Sequence, residues 1–218
     1  MTLRKLLATA GGLALLLSSF IAQAQSWPIT VKDLDNRTVT IEHKPQRIIL
    51  QDGRDIFTLA LLERDNPFAS VVAWNNLPKK QDTETWNVLK RKWPEAEKIL
   101  DMKFSDQGNV DLETVISRQP DLMIAQLRAK PSLVQTGVLE KLDALHIPVI
   151  FVDYELHPVE NTLPSIALLG NVLGQTARAQ AYIDFYQQRL DTLHQRLAGI
   201  TKKTPGVYRA DCRCRWPG

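Results

Sequence analysis

The sequence predicts an α/β fold: an N-terminal parallel-sheet lobe with flanking helices, followed by a long connector helix. Three observations carry this. Short apolar runs at 47–50, 70–74, 121–125 and 147–152 alternate with stretches of helical periodicity, the pattern of a parallel sheet covered on both faces. From residue 161 onward the pattern is helical only. The chain of 218 residues, 44% apolar and 23% charged, can bury one good core and is neither fibrous nor disordered.

Each element follows from its residues. Ile29–Val31 and Thr38–Ile41 are β-rich and are separated by Asp33, Asp35 and Asn36, turn-favouring residues that make this an N-terminal hairpin. Pro45 leads into the first core strand, 47–50, followed by Gln51-Asp52-Gly53 and a helix over 55–63. A second strand, 70–74, ends at Asn75-Asn76 and precedes a Trp- and Lys-rich helical segment. Asp111 begins a short helix to Arg118, and Asp121–Ala125 is the third strand. Residues 133–145 form an amphipathic helix with Leu139, Leu142 and Leu145 on one stripe, and Ile147–Val152 closes the series. A helix over 163–173 ends at Gly174. The last runs from about Thr176 to Ala198 with Ala179, Ile183, Tyr186, Leu190, Leu193 and Leu197 at helical spacing, a length of about 35 Å. The expected organisation is a leader, 1–24; an α/β lobe, 25–160; a helical connector, 161–200; and an irregular tail, 201–218.

The leader has Arg4 and Lys5, an apolar stretch from Leu13 to Ile21, and small residues at Ala22 and Ala24. This is the pattern of a secretory signal peptide cleaved after Ala24, and the apolar run is shorter than the ~20 residues that cross a bilayer. A periplasmic mature chain of 194 residues is expected from the 218 less those 24. No cysteine lies near the cleavage point to carry a lipid. Cys212 and Cys214 are separated by one residue, too close for an ordinary disulfide, and nothing histidine-rich lies nearby to complete a zinc site. The leader contributes a charge of +2 and the last 18 residues +4, so a total of +3 leaves −3 on residues 25–200. A slightly acidic body argues against nucleic-acid binding, which needs clustered cations.

The mature sequence has no phosphate-cradling glycine loop, nucleophile elbow or H-E-x-x-H motif, so no enzyme and no cofactor is expected. Asp111 and Glu113 form the nearest carboxylate pair, at a helix start that favours acids electrostatically. His43, His146, His157 and His194 are scattered singly. Ligands of parallel sheets sit beyond the carboxyl ends of the strands. That singles out Gln51, Asp52, Gly53 and Arg54; Trp74 and Asn75; Gln126 to Arg128; and Asp153 and Tyr154. Trp74 could stack on a ligand or fill the core, and Arg128 could hold an anion bidentately or lie solvated in a loop.

The stretch Ile29-Thr30-Val31-Lys32-Asp33 with Arg37, Val39 and Ile41, then Pro45, Arg47, Ile48 and Ile49, resembles the opening of the class III periplasmic substrate-binding proteins of ABC importers. Asn109-Val110-Asp111-Leu112-Glu113, with Val115 and Ile116 and then Gln119-Pro120-Asp121-Leu122, is a stronger match. It is followed by Leu145, Ile147-Pro148-Val149-Ile150 and Leu168-Leu169-Gly170. The resemblance covers about residues 29–200. It implies two α/β lobes joined by a long helix, with an iron-siderophore, haem or cobalamin ligand in the cleft between them. It implies ligand contacts from Gln51, Asp52, Arg54, Trp74, Asn75 and Arg128. It also implies an inner-membrane ABC permease as partner, docked through Glu95 or Glu97. After the connector the tail from Thr204 to Gly218 departs from the family pattern, and the expectation is that the second lobe has been replaced, leaving half a cleft, impaired capture and marginal stability or self-association.

The expected function is therefore the solute-binding component of an importer, for an iron-siderophore complex. The alternatives are a zinc- or manganese-binding protein, which would need histidines and carboxylates converging at the strand ends, and an exported interaction module without a small ligand.

Overall fold

The computed structural model describes residues 26–103 and 112–199. The leader, Asp111, the tail and both cysteines lie outside the described residues.

The hairpin pairs β1 (Ile29–Lys32) with β2 (Thr38–Ile41) antiparallel, with Ile29 opposite Ile41 and Lys32 opposite Thr38. The main sheet holds β3 (Ile48–Leu50), β4 (Val71–Trp74), β5 (Leu100–Asp101), β6 (Leu122–Gln126) and β7 (Val149–Val152) in the order β5-β4-β3-β6-β7, and every pairing is parallel. The four expected core strands are present. The two-residue β5 was not foreseen, because a run that short leaves no periodicity to read.

Alternate residues of each strand face opposite layers. Ile48, Leu50, Leu122, Ile124, Ile150 and Val152 enter one core, shared with α1 (Ile56–Leu62), α3 (Thr83–Lys92), α7 (Pro158–Val172) and the start of α8 (Thr176–Leu197). The short α2 (Leu77–Gln81) leads into α3. Ile49, Ala73, Met123, Ala125, Val149 and Phe151 enter the other core, closed by α4 (Leu112–Ile116), α5 (Lys130–Gln135) and α6 (Val138–Ala144).

The helix expected over 133–145 is thus two helices. Gly137, at φ +68°, breaks the run between α5 and α6, a conformation open to glycine without steric penalty. The three-leucine stripe divides accordingly: Leu142 is fully buried and Leu139 packs at its edge, while Leu145 is exposed. The helix expected from residue 163 begins at Pro158, where proline needs no N–H partner. The expected boundary at residue 160 falls inside α7, whose Ile166, Leu168, Leu169 and Val172 belong to the sheet core.

α8 follows the expected range but not the expected burial. Ala179 is buried, Tyr182 and Ile183 pack on the core, and Arg178 Nη1 donates to the Leu62 carbonyl at 2.7 Å. Farther along, Phe185, Leu193 and Leu197 are exposed. Among the described residues no helix is long and apolar enough to cross a membrane.

Candidate functional site

Strand order decides which strand ends form a crevice. From β3 the chain moves outward through β4 to β5, then returns to the other side of β3 with β6 and β7. The switch point lies between β3 and β6, and in open α/β sheets ligands bind beyond the carboxyl ends of the strands at such a point. Residues 51–54 leave β3 there and residues 126–128 leave β6.

The two segments are joined through their polar groups. Gln51 N–H donates to the Ile124 carbonyl at 2.9 Å, extending the ladder, and Gln126 N–H donates to Gln51 Oε1 at 3.1 Å. Gly53 lies so close to Asn75 that a Cβ there would stand 1.9 Å from the Asn75 carbonyl oxygen. This loop can approach β4 only as glycine.

Above this floor stands a compact charged group. Asp52, 1% exposed, caps the turn that follows: its Oδ1 accepts from the Arg54 backbone N–H at 2.9 Å and from Arg54 Nε at 3.0 Å. Its Oδ2 accepts from Arg54 Nη2 at 2.5 Å and from Arg128 Nη2 at 3.0 Å. Glu155, just past β7, faces the same two guanidiniums, with Oε1 at 2.5 Å from Arg54 Nη2 and Oε2 at 2.6 Å from Arg128 Nε. Two arginines are held between a buried carboxylate and an exposed one.

The surroundings set the protonation states. Burial works to raise the Asp52 carboxyl, but hydrogen bonds from Arg54, the Arg54 charge and the bond from Arg128 hold it below its ordinary value. The Arg54 guanidinium is raised by its hydrogen bond to Asp52, against the cost of its own burial. Asp55, directly beneath, is pushed well up by burial and by the Asp52 charge. Its Oδ1 accepts from Gln126 Nε2 at 2.5 Å, and its Oδ2 is buried without a partner. Tyr154 is raised by burial and by the Asp55 charge, and its hydroxyl oxygen accepts from Thr58 Oγ1 at 3.3 Å.

Of the six ligand contacts expected from sequence, Gln51, Asp52, Arg54 and Arg128 converge here. Asn75 lies beside the loop, buried, with its N–H on the Leu50 carbonyl at 3.1 Å. Trp74 does not converge. It is the last residue of β4, 1% exposed, edge-on to Phe68 at 5.8 Å and tilted against Trp86 at 5.8 Å. Its side chain points into the helix-covered core because alternation along β4 turns it there, so the core reading of Trp74 replaces the stacking one. Asp153 faces inward, accepting the N–H groups of Glu155, Leu156 and His157 and the Asn161 amide. Glu155 and Asp55 are the site members that the sequence reading missed. Glu155 adjoins the Asp153-Tyr154 strand end already singled out, so its position was the available signal.

The remaining candidates lie elsewhere. Glu95 and Glu97 are exposed on the 3-10 turn Pro94–Lys98 that leads into β5, with Glu95 Oε1 accepting from Asn66 Nδ2 at 2.6 Å and Glu97 3.7 Å from Lys90. Glu113 is exposed on α4. His43 is 4.0 Å from Asp121, and His146 ends α6 in a left-handed turn at φ +56°. Among the described residues no group of three or more His, Cys, Asp or Glu could hold a metal ion. A groove of about 710 Å³ runs along β2 past His43, Asp121, His146 and Pro148. It lies at the amino-terminal edge of the sheet, away from the charged group, and its lining includes none of the expected ligand residues.

Comparison with known proteins gives consistent similarities. The family profile described as "Periplasmic binding protein" matches residues 56–211. The uncharacterised ABC transporter substrate-binding lipoprotein YvrC of Bacillus subtilis is 24% identical over 181 residues, covering 83% of this chain and 51% of that protein. The TroA-like periplasmic binding protein FepB from Veillonella parvula superposes with a TM-score of 0.74 at 25% identity, over 82% of this chain and 52% of that one. The siderophore-binding protein BauB, solved with two acinetobactin molecules and ferric iron, shares the fold at a TM-score of 0.53 and 17% identity, over 81% of this chain and 57% of that one. This chain therefore spans about half the length of the relatives it matches.

Proposed function

Since the chain belongs to the periplasmic binding protein family, matched over 156 of its residues at 56–211, we propose that it is the exported solute-binding component of an ABC importer and that its ligand is an anionic iron-siderophore complex. One observation carries the ligand class: Arg54 and Arg128, from two different strand ends, converge on Asp52 at the β3/β6 switch point. Paired guanidiniums suit ligands rich in anionic oxygens, because each fork can take two acceptors. The choice of an iron chelate among such anions rests on the sequence resemblance; the YvrC and FepB likenesses support the substrate-binding role. BauB, at 17% identity, speaks for the fold.

Export through the Met1–Ala24 leader and a periplasmic location accord with the family. Permease docking through Glu95 or Glu97 accords with their exposure on a turn at the far edge of the sheet from the arginines. The zinc or manganese alternative has no cluster of ligands among the described residues in its favour.

Titration calorimetry of the mature chain tests the ligand class, with ferric tris-catecholate as the anionic probe and zinc chloride as the metal probe. Arg128→Ala is expected to weaken the ferric probe at least tenfold, the loss of a bidentate charged contact, and to leave zinc unaffected. Equal ferric affinity in wild type and variant would remove Arg128 from the site. For docking, Glu95→Lys with Glu97→Lys is expected to lower iron uptake in the native host while calorimetric affinity stays unchanged. Unimpaired uptake would exclude this turn from the permease contact.

A further inference from the structure

The two carboxylates that flank the arginines are held differently. Asp52 is 1% exposed, accepts a backbone N–H as well as both guanidiniums, and caps the turn after β3. Glu155 has a side chain 36% exposed, and among the described residues its carboxylate meets the two guanidiniums, Arg54 at 2.5 Å and Arg128 at 2.6 Å. Its main chain is fixed independently, the N–H donating to Asp153 Oδ1 at 3.0 Å. The Glu155 side chain can therefore leave without disturbing the turn that carries it, whereas removing Asp52 would dismantle the loop.

A carboxylate bridging two guanidiniums occupies the place that the anionic oxygens of a ligand would take. Withdrawing Glu155 removes one carboxylate from the outward side of Arg54 and Arg128, so an incoming anion meets both guanidiniums with one negative charge fewer between them. Partly exposed ion pairs are individually weak, so a ligand with several anionic oxygens can outcompete Glu155, and a neutral ligand gains nothing by doing so.

We propose that Glu155 is an internal counter-ion that an incoming anionic ligand displaces, and that it thereby sets how strongly charged a ligand must be to be captured. This rests on the reading that Arg54 and Arg128 contact the ligand. The opposite role, a residue that positions the arginines for binding, predicts the opposite sign.

The test compares wild type, Glu155→Gln, Glu155→Ala and Arg128→Ala by titration calorimetry, with anionic ferric tris-catecholate and the uncharged tris(acetohydroxamato)iron(III) complex as probes. Both Glu155 variants are expected to bind the anionic probe about tenfold more tightly than wild type, equivalent to about 1.4 kcal/mol. Their affinity should also fall more steeply with salt, since their site is no longer neutralised from within. Affinity for the neutral complex should not change. Weaker or equal binding of the anionic probe in both variants overturns the counter-ion proposal while Arg128→Ala still loses binding, and the arginine site then stands. If no variant binds the anionic probe, and Arg128→Ala is indistinguishable from wild type, both readings fall.

Discussion

Asp55 shows how much of this site is set by single residues out of contact with water. It is fully buried, with Asp52 above it, Gln126 donating to one oxygen and no partner for the other, while Arg54, Glu155 and Tyr154 complete its surroundings. Burial and the Asp52 charge raise its folded-state value well above that of the unfolded chain. The native state thus keeps a proton that the unfolded state releases, and stability contributed by this group falls as pH rises from about 4 through the folded value. Asp55→Asn removes the titration while keeping size. Its stability relative to wild type, from urea midpoints, should rise between pH 4 and pH 8. Parallel pH curves for the two proteins would mean that Asp55 is not held neutral. Trp74 calls for a different experiment. Packed between Phe68 and Trp86, it should cost about 3–5 kcal/mol on truncation to alanine by urea unfolding, without altering the affinity of the molecules that remain folded. A selective loss of ligand binding would restore it to the site.

At the level of elements, Asp33 and its neighbours Leu34 and Arg37 fasten the hairpin turn to β7. Asp33 is 4% exposed, and its carboxylate accepts from the Asp35 and Arg37 N–H groups, from the Arg37 guanidinium and from Phe151 N–H at 3.2 Å. Leu34 N–H donates to the Phe151 carbonyl, and Arg37 lies over the Phe151 ring at 4.6 Å while bonding the Val149 carbonyl. The turn thereby covers the free edge of β7, which would otherwise invite pairing with another chain. Asp33→Ala should destabilise by about 1–3 kcal/mol, the cost of leaving the buried Phe151 N–H without its acceptor, and should raise aggregation measured by light scattering near the unfolding midpoint. Wild-type stability in that variant would mean that the hairpin docks through its apolar residues alone. The elements themselves were legible wherever burial imposes a pattern: β3, β6 and β7 are buried at every position and read as apolar runs. The α5/α6 break was not, because the stripe Leu139, Leu142 and Leu145 keeps helical spacing on one side of Gly137, and the positive φ of that residue separates the two helices. The charged site was half legible. Strand ends could be read, but which ends adjoin depends on the sheet order, so both readings of Trp74 and both of Arg128 stayed open in the sequence.

For the whole molecule, that order makes stability uneven. β3 and β6 have strands on both sides and helices on both faces, and their ladder continues into the site through Gln51 N–H on Ile124. Among the described residues the far half of α8 has no such cover: Phe185, Leu193 and Leu197 are 50%, 52% and 55% exposed. A helix draws most of its stability from packing an apolar face, so this half must be held chiefly by its own hydrogen bonds. Hydrogen exchange follows such differences, with core strands opening only by global unfolding and uncovered segments opening locally. The amides of Leu50, Gln51, Ile124 and Ala125 should exchange slowest, and those beyond Tyr186 in α8 faster by about two orders of magnitude or more, reflecting a local opening cheaper by ~3 kcal/mol. The site floor shares the slow strands, so the arginines stand on strands expected to open last, and the counter-ion proposal needs movement of Glu155 but no opening of the sheet. If α8 beyond Tyr186 proves as protected as β3, its apolar face is covered in solution. A dilution series would then separate coverage by a second copy, which is lost on dilution, from coverage within the chain, which is not.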